Sequence, residues 1–164
     1  MEKLRLFHIN EKYINFLHGA DNRVQLNKGE RRPYVGIVLK INGNNYYVPM
    51  ESPKPNHAKL KSGIHFLRID NGNYGLLGFN NMIPVREDCL VNFDIEKESD
   101  IKYKTLLINQ LVWCNKHREE IYDRAQKTYD KVISGNSKFH CTICCDFEKL
   151  ERVSKKFDIN YRKK

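Results

Sequence analysis

The fold of this chain is decided by residues 34–50, which read YVGIVLKINGNNYYVPM. Two apolar runs rich in β-branched and aromatic residues, Tyr34–Ile41 and Tyr46–Met50, lie on either side of the pair Asn42-Gly43. Such a pair between two strand-like runs is the strongest short signal for a β-hairpin, because both central residues of a type I′ turn need a positive φ. The sequence therefore predicts two antiparallel strands joined by a tight turn.

Further short strands are predicted on both sides of the hairpin. Their apolar or alternating runs are Leu4–His8, Ile64–Ile69, Tyr74–Phe79, Met82–Val85 and Leu90–Ile95. Turn residues such as Asn71-Gly72-Asn73 separate successive runs, and strands joined by short turns pair in antiparallel fashion. We therefore expect a mainly antiparallel sheet.

Helical periodicity is present in three segments. They begin after Asn10, after Ser99 or Asp100, and after Asp146, which are all residues that cap helices. The second segment has no Gly or Pro before Gly135, and at about 1.5 Å per residue it would span roughly 45 Å. We therefore expect it to break between Trp113 and Arg118 or to overhang. The chain is predicted to be a single α+β domain, residues 1–164, in which helices, one of them long, flank the sheet.

The composition is that of a folded protein without a membrane segment. Hydrophobic residues make up 40% of the 164 positions and charged residues 30%, which provides enough apolar side chains for a core. Residues Met1–Leu17 are interrupted by charges and lack the apolar centre of a secretory signal, and no run approaches the length of a membrane span. The five cysteines are an odd number, which fits a reducing compartment. We expect a cytoplasmic protein that does not contact membranes.

The net charge of +9 is concentrated in one segment. Between Arg23 and Arg68 there are nine basic and two acidic residues, so this segment carries +7 and the rest of the chain +2. A concentrated positive field attracts polyanions such as nucleic acids. A solvated basic face that merely keeps a protein in solution has the same composition, so charge alone leaves both interpretations open.

The tripeptide Ser52-Pro53-Lys54 lies inside this segment, directly after the predicted hairpin. The lysine offers a charged donor and the serine a hydroxyl, while Pro53 and Pro55 stiffen the chain. Taken alone, the tripeptide is also typical of an ordinary surface turn.

Six pieces of the sequence resemble, in the same order, those of the ToxN/AbiQ-like toxins of type III toxin–antitoxin systems. They are Tyr13-Ile14, Arg32-Pro33-Tyr34-Val35-Gly36-Ile37-Val38, Ser52-Pro53-Lys54, Gly78-Phe79-Asn80-Asn81-Met82-Ile83-Pro84-Val85, Tyr103-Lys104-x-Leu106-Leu107-x-x-Gln110 and Phe147-Glu148-Lys149-Leu150. The pieces are spread from residue 13 to residue 150, so the resemblance extends over nearly the whole chain. The CptN subgroup is one candidate within the family.

This resemblance implies a strongly bent antiparallel sheet or small barrel, similar to the Kid/MazF toxins and flanked by helices. It also implies a metal-independent endoribonuclease toxin that acts on cellular or phage RNA and leaves 2′,3′-cyclic phosphate and 5′-hydroxyl ends. The implied inhibitor is an RNA antitoxin of tandem pseudoknotted repeats, which the toxin processes. Toxin and RNA would alternate in a closed, RNA-bridged oligomer, with no strong contact between toxin copies and no cofactor.

The candidate catalytic residues follow from the Ser-x-Lys motif of this resemblance. Ser52 and Lys54 would hold the scissile phosphate, and Arg32 would neutralise the charge that develops on it. The general base is left open among Lys54, Glu51 and His57. The residues expected to bind RNA are Lys28, Arg31, Lys54, Lys59, Lys61 and Tyr34, the last by stacking on a base.

Three positions depart from the family pattern. Glu51 stands where the family often has Thr or Ser, Arg32 stands where it has a lysine, and Lys28-Gly29-Glu30 stands where it can have a tyrosine. The serine and the lysine of the motif carry over directly, whereas the general base does not.

Two other classes of function are compatible with the sequence. A non-catalytic RNA- or DNA-binding domain needs the same basic segment but no placed Ser-Lys pair. A zinc-containing interaction module could use Cys141-x-x-Cys144 together with Cys114-x-x-His117. A single Cys-x-x-Cys is an incomplete zinc pattern, and buried free thiols are the simpler interpretation.

Overall fold

The computed structural model describes residues 2–27, 29–60 and 63–160. Within these ranges there are seven strands, which are β1 (Arg5–Ile9), β2 (Tyr34–Ile41), β3 (Asn44–Glu51), β4 (Phe66–Arg68), β5 (Leu76–Gly78), β6 (Ile83–Pro84) and β7 (Leu90–Val91). The same ranges contain five α-helices, which are α1 (Glu11–Ala20), α2 (Ile101–Lys116), α3 (Arg118–Ser134), α4 (Lys138–Ile143) and α5 (Phe147–Ser154). The predicted α+β class is confirmed.

The predicted hairpin is formed by β2 and β3. Ile41 pairs with Asn44 across the turn, and the two residues between them, Asn42 and Gly43, have φ values of 54° and 76°. Both central residues therefore adopt the left-handed conformation that a type I′ turn requires.

All strand pairs in the described sheet are antiparallel. The strands follow the order β4-β5-β3-β2-β1-β7, and β6 also pairs with β3. The outer edge of β3 is thus shared, since β6 pairs with Tyr46 and Tyr47 while β5 pairs with Met50 and Glu51. The order has two ends, β4 and β7, so the described strands form an open sheet. The likeness to the Kid/MazF barrels stays a prediction.

A bulge interrupts β2 between Gly36 and Leu39. On the turn side Leu39 pairs with Tyr46, and beyond the bulge Gly36 pairs with Tyr47. A Cβ atom on Gly36 would lie 2.2 Å from the ring of Tyr47, so no larger residue fits at this point without moving the ring. The bulge shifts the register at the open end of the hairpin, next to Arg32 and to Ser52-Pro53-Lys54.

The long helical pattern is broken at His117, within the predicted interval. This residue has φ −115° and ψ 27°, outside the helical region, and separates α2 from α3. Its ring stacks on Trp113 with the ring centroids 3.8 Å apart, which fixes the bend. No helix among the described residues is both long and apolar enough to cross a membrane.

A buried carboxylate joins the sheet to the last helix. Glu151 of α5 is 8% exposed and accepts hydrogen bonds from the hydroxyls of Tyr46 (2.6 Å) and Tyr129 (2.8 Å). The rings of Tyr46 and Tyr129 pack against Phe147. A carboxylate in such a place must be paired, because an unpaired buried charge costs several kcal/mol.

We expect Tyr46→Phe to lower the free energy of unfolding by about 1.5–3 kcal/mol, because it removes one of the two hydroxyls that donate to the buried carboxylate. Denaturant unfolding measures this loss. Tyr122→Phe is the matched control, since its hydroxyl donates to the carbonyl of Glu2 in an exposed position (2.9 Å). The control should change stability by no more than about 0.5 kcal/mol. Equal losses in the two variants would contradict the role given to Glu151.

Candidate active site

The shifted register of the hairpin brings two distant parts of the sequence together. Tyr34 pairs with Pro49, and the N–H of Met50 donates to the carbonyl of Pro33 (3.0 Å). Because neighbouring residues on two paired strands remain side by side, Arg32 and Glu51 come next to each other where the strands end. The arginine pair and the Ser-Pro-Lys bend therefore face the same cleft.

This cleft has a volume of about 320 Å³. Its lining residues are Asn27, Arg31, Arg32, Pro33, Met50, Glu51, Ser52, Lys54 and Tyr103. Among them three cationic side chains face one carboxylate, that of Glu51. Ser52 and Lys54 are exposed, and the side chain of Glu51 is 30% exposed. A small open cleft with excess positive charge, a hydroxyl and a carboxylate suits a phosphodiester.

The arginine side of the cleft is anchored by Asn27, a residue that is 1% exposed. Its side-chain amide donates to the carbonyl of Ile9 at the end of β1 (2.7 Å). Its own carbonyl accepts the N–H of Arg31 (3.0 Å). The loop before β2 is thereby tied to the sheet, so the two arginines project from a fixed backbone.

The bend at the end of β3 is held by close packing. Gly75, in the turn before β5, has φ +92°, and a Cβ atom there would lie 1.8 Å from the carbonyl oxygen of Glu51. Only glycine can adopt this positive φ without strain and also leave room for the carbonyl oxygen of Glu51. The two prolines that flank Lys54 further restrict the chain. These constraints leave Ser52 and Lys54 exposed on a rigid bend.

His57 lies beneath this bend and links its two ends. Its side chain is 3% exposed. Nδ1 accepts the N–H of Lys54 (3.3 Å), and Nε2 lies 3.5 Å from Oε2 of Glu51. Because Nδ1 accepts, the proton of the neutral ring is on Nε2, which faces the carboxylate. His57 thus fixes the backbone at Lys54 and the side chain at Glu51, the residues on either side of Ser52-Pro53.

Two cleft residues were missed by sequence reasoning. Tyr103, in the first turn of α2, was noticed only as part of a motif that opens a helix. Burial, and secondarily the carboxylate of Glu98, raises the pKa of Tyr103, so its hydroxyl stays protonated and can donate. Asn27 lies in a polar, irregular segment that shows no periodicity, and nothing in the sequence singled it out.

Several residues that the sequence assigned to the site do not line the cleft in the structure. Tyr34 is fully buried, so the prediction that it stacks on a base is wrong; burial also raises the pKa of its hydroxyl. His57 does not line the cleft, and its burial contradicts a direct contact with substrate. Lys59 is exposed on the turn after the bend and does not line the cleft either. Lys28 and Lys61 lie outside the described residues.

The cysteines do not form the cluster that a zinc module needs. No three His, Cys, Asp or Glu side chains within the described ranges could together hold a metal ion. Cys114 and Cys144 are buried, and burial raises the pKa of each thiol to about 12. Cys141 donates a weak hydrogen bond to the carbonyl of Val132 (3.6 Å). The described cysteines are free thiols.

Comparisons with known proteins identify the class. The family model described as "Toxin ToxN, type III toxin-antitoxin system" matches residues 5–155. The chain is 34% identical over 161 residues to Endoribonuclease ToxN of Bacillus thuringiensis subsp. kurstaki, and the match covers 92% of this chain and 83% of that protein. It is 28% identical over 159 residues to Endoribonuclease AbiQ of Lactococcus lactis subsp. lactis, and the match covers 90% of this chain and 86% of that protein.

Solved structures agree with this match. A structure concerned with selective toxin inhibition by a non-coding RNA pseudoknot has a TM-score of 0.84 at 30% identity, over 94% of this chain and 98% of that chain. The structure of AbiQ, a lactococcal anti-phage endoribonuclease, has a TM-score of 0.81 at 26% identity, over 94% of this chain and 97% of that chain. Fold and sequence together define a toxin of the type III toxin–antitoxin class. The chain belongs to the ToxN family, as its sequence motifs predicted.

We expect His57→Leu, which keeps an apolar volume and removes both ring nitrogens, to speed hydrogen exchange of the Lys54 amide by about tenfold, the effect of one lost hydrogen bond. Amide exchange followed by NMR measures this. His57→Asn offers a side-chain oxygen to the same amide and should restore part of the protection. The Met50 amide, which donates to Pro33, serves as an internal control. An unchanged exchange rate at Lys54 would refute the proposed link.

Proposed function

We propose that this chain is an endoribonuclease toxin that cuts single-stranded RNA without a metal ion. The observation that carries the proposal is the cleft in which Ser52, Lys54, Arg32 and Glu51 converge from two separate stretches of sequence. The names of its ToxN and AbiQ relatives as endoribonucleases support the activity. The absence of metal and the nature of the products are inferred from the chemistry of the residues.

The reaction uses the RNA's own 2′-hydroxyl as the nucleophile. The 2′-oxygen attacks the neighbouring phosphorus, the bond from phosphorus to the 5′-oxygen breaks, and a 2′,3′-cyclic phosphate and a 5′-hydroxyl remain. A base takes the proton of the 2′-hydroxyl, and an acid supplies a proton to the leaving 5′-oxygen. The protein must also align the attacking oxygen and stabilise charge on the phosphoryl oxygens.

Ser52 and Lys54 are the proposed ligands of the scissile phosphate. Both are exposed at the mouth of the cleft, and the bend that carries them is fixed from below by His57 and Gly75. Arg32 faces them from the β2 side and neutralises the developing negative charge. Donors held rigidly in this way cost little reorganisation when charge develops in the transition state.

Glu51 is the proposed general base, and Lys54 is the alternative. Among the residues that line the cleft, Glu51 is the one acidic side chain, and the ring of His57 lies 3.5 Å from one of its oxygens. The other carboxylate oxygen can accept the proton of a 2′-hydroxyl. His57 acts on the reaction by holding Glu51 and the Lys54 backbone, and is therefore a positioning residue.

An RNA antitoxin is the proposed partner. One solved relative concerns inhibition by a non-coding RNA pseudoknot, and another a processed non-coding RNA that regulates an antiviral system. The same cleft that cuts RNA would process the repeats of the precursor and retain them. Arg31, at the rim of the cleft, and Lys59, on the adjacent turn, are the described basic residues proposed to extend this contact. Toxin and RNA would then alternate in a closed assembly.

The cleavage proposal is tested with purified protein and a radiolabelled RNA in excess EDTA. We expect cleavage at an unchanged rate and ends that carry a cyclic phosphate. Ser52→Ala should lower the single-turnover rate by about 10²–10³, since it removes a phosphate ligand. Glu51→Gln should lower it by about 10²–10⁴, since it removes the base.

The matched controls are Ser134→Ala and Glu119→Gln, both exposed on α3. They should cut RNA at the wild-type rate. Full activity of Ser52→Ala would remove the serine from the site, and full activity of Glu51→Gln would favour Lys54 as the base. RNA that is bound but never cut by the wild-type protein would favour the non-catalytic binding domain.

The antitoxin proposal predicts that expression of the chain alone arrests bacterial growth. Co-expression of the RNA encoded directly upstream of its gene should restore growth, because the RNA occupies the cleft. Ser52→Ala should permit growth without that RNA. Light scattering of the purified complex should give the mass of several toxin copies joined by RNA. Arrest that no upstream RNA relieves would contradict the proposed partner.

A further inference from the structure

A second pocket lies beside the candidate active site. It has a volume of about 670 Å³ and is lined by His8, Asn92, Phe93, Asp94, Lys97 and Glu98. It adjoins the candidate cleft through Glu98, whose Oε1 accepts the N–H of Asp100 (3.1 Å), while Oδ1 of Asp100 accepts the N–H of Tyr103 (3.2 Å), a residue that lines the cleft. On the other side, His8 precedes Ile9, whose carbonyl anchors Asn27 of the cleft.

One wall of this pocket is aromatic. The ring of Phe93 packs edge-on against the ring of His8, with the centroids 4.0 Å apart, and both residues are half-buried. Burial lowers the pKa of His8, so this wall is uncharged at neutral pH. Nε2 of His8 is sheltered from solvent and has no hydrogen-bond partner in the described parts of the chain. Flat, uncharged rings beside an unpaired ring nitrogen suit a heterocyclic base.

The charge of this pocket is opposite to that of the cleft. Its lining has one ammonium group, on Lys97, and two carboxylates, on Asp94 and Glu98. Oδ1 of Asp94 accepts the N–H of Glu96 (3.1 Å), and Oε1 of Glu98 accepts the N–H of Asp100 (3.1 Å). The backbone therefore holds both carboxylates in place. A phosphate would be repelled here and attracted to the cleft.

We propose that this pocket binds one unpaired RNA base next to the linkage that is cut, and that it favours a base with an exocyclic amino group over uracil. The inference rests on the proposed endoribonuclease function and names part of its specificity. Carboxylate oxygens accept hydrogen bonds and donate none, so they pair with the amino groups of cytosine, adenine and guanine. Uracil presents a carbonyl oxygen at the position where cytosine has its amino group, and this oxygen faces repulsion.

The inference is tested by binding of fluorescein-labelled hexanucleotides in which every 2′-hydroxyl is replaced by fluorine. Such chains keep their bases and phosphates but cannot be cut by the proposed reaction. A hexamer of uracil alone is compared with hexamers that carry one cytosine at each position in turn. We expect one position at which cytosine tightens binding to the wild-type protein by about tenfold.

The decisive variant is Glu98→Gln, which keeps the oxygen that accepts from Asp100 and adds a donor. It should bind the all-uracil hexamer and the best cytosine hexamer within about twofold of each other. Asp94→Asn is the second variant, in case the other carboxylate carries the discrimination. Glu96→Gln is the matched control: it removes a negative charge from the same segment outside the pocket, and should keep the tenfold preference.

The results distinguish this inference from the proposed function on which it rests. Equal binding of all hexamers by the wild-type protein, or a preference that survives in both Glu98→Gln and Asp94→Asn, would overturn the base pocket. Cleavage of the matching all-ribose hexamers is measured separately. A cytosine preference without any cleavage would keep the base pocket and refute the endoribonuclease.

Discussion

The register of the β2–β3 hairpin is the constraint on which the candidate site depends. Next to the turn the strands pair in one register, and beyond the bulge in β2 the pairing is shifted by two positions. Continuing the register of the turn would put Arg32 opposite Pro53, whereas extending the register seen at Tyr34–Pro49 puts it opposite Glu51. The bulge therefore decides which residues of the two strands meet at the cleft.

The charges near this site are separated by element. The basic side chains of the cleft come from the segment before β2 and from the bend after β3. The carboxylates of the neighbouring pocket come from the segment between β7 and α2. Attraction of a polyanion by the first set and repulsion by the second would orient a bound strand, with its backbone over the arginines and a base turned toward Phe93. Either set of charges alone would leave the orientation of the bound strand undetermined.

Local features could be predicted from the sequence, and features that depend on packing could not. The Asn-Gly turn formed as expected, and Asn10, Asp100 and Asp146 cap their helices through side-chain oxygens, because caps and turns depend on neighbours within four residues.

The bulge, the burial of His57 and the role of Asn27 follow from contacts between residues far apart in the chain. Tyr34 was misjudged for the same reason: its place beside basic residues in the sequence suggested exposure, whereas the sheet buries it. The serine and the lysine of the bend came from a resemblance to other proteins, since the tripeptide alone is a common turn.

The pairing of Glu151 with two tyrosines has a consequence for how this chain comes to be active. During synthesis the hairpin leaves the ribosome well before residues 147–154. Until those residues follow, the hydroxyl of Tyr46 lacks its acceptor on Glu151, and the ring of Tyr46 lacks its contact with Phe147. Contacts that span so much sequence form late in folding. The cleft lies at the open end of that hairpin, so its supporting sheet is fully packed only after residues 147–154 have been synthesised and have docked on Tyr46.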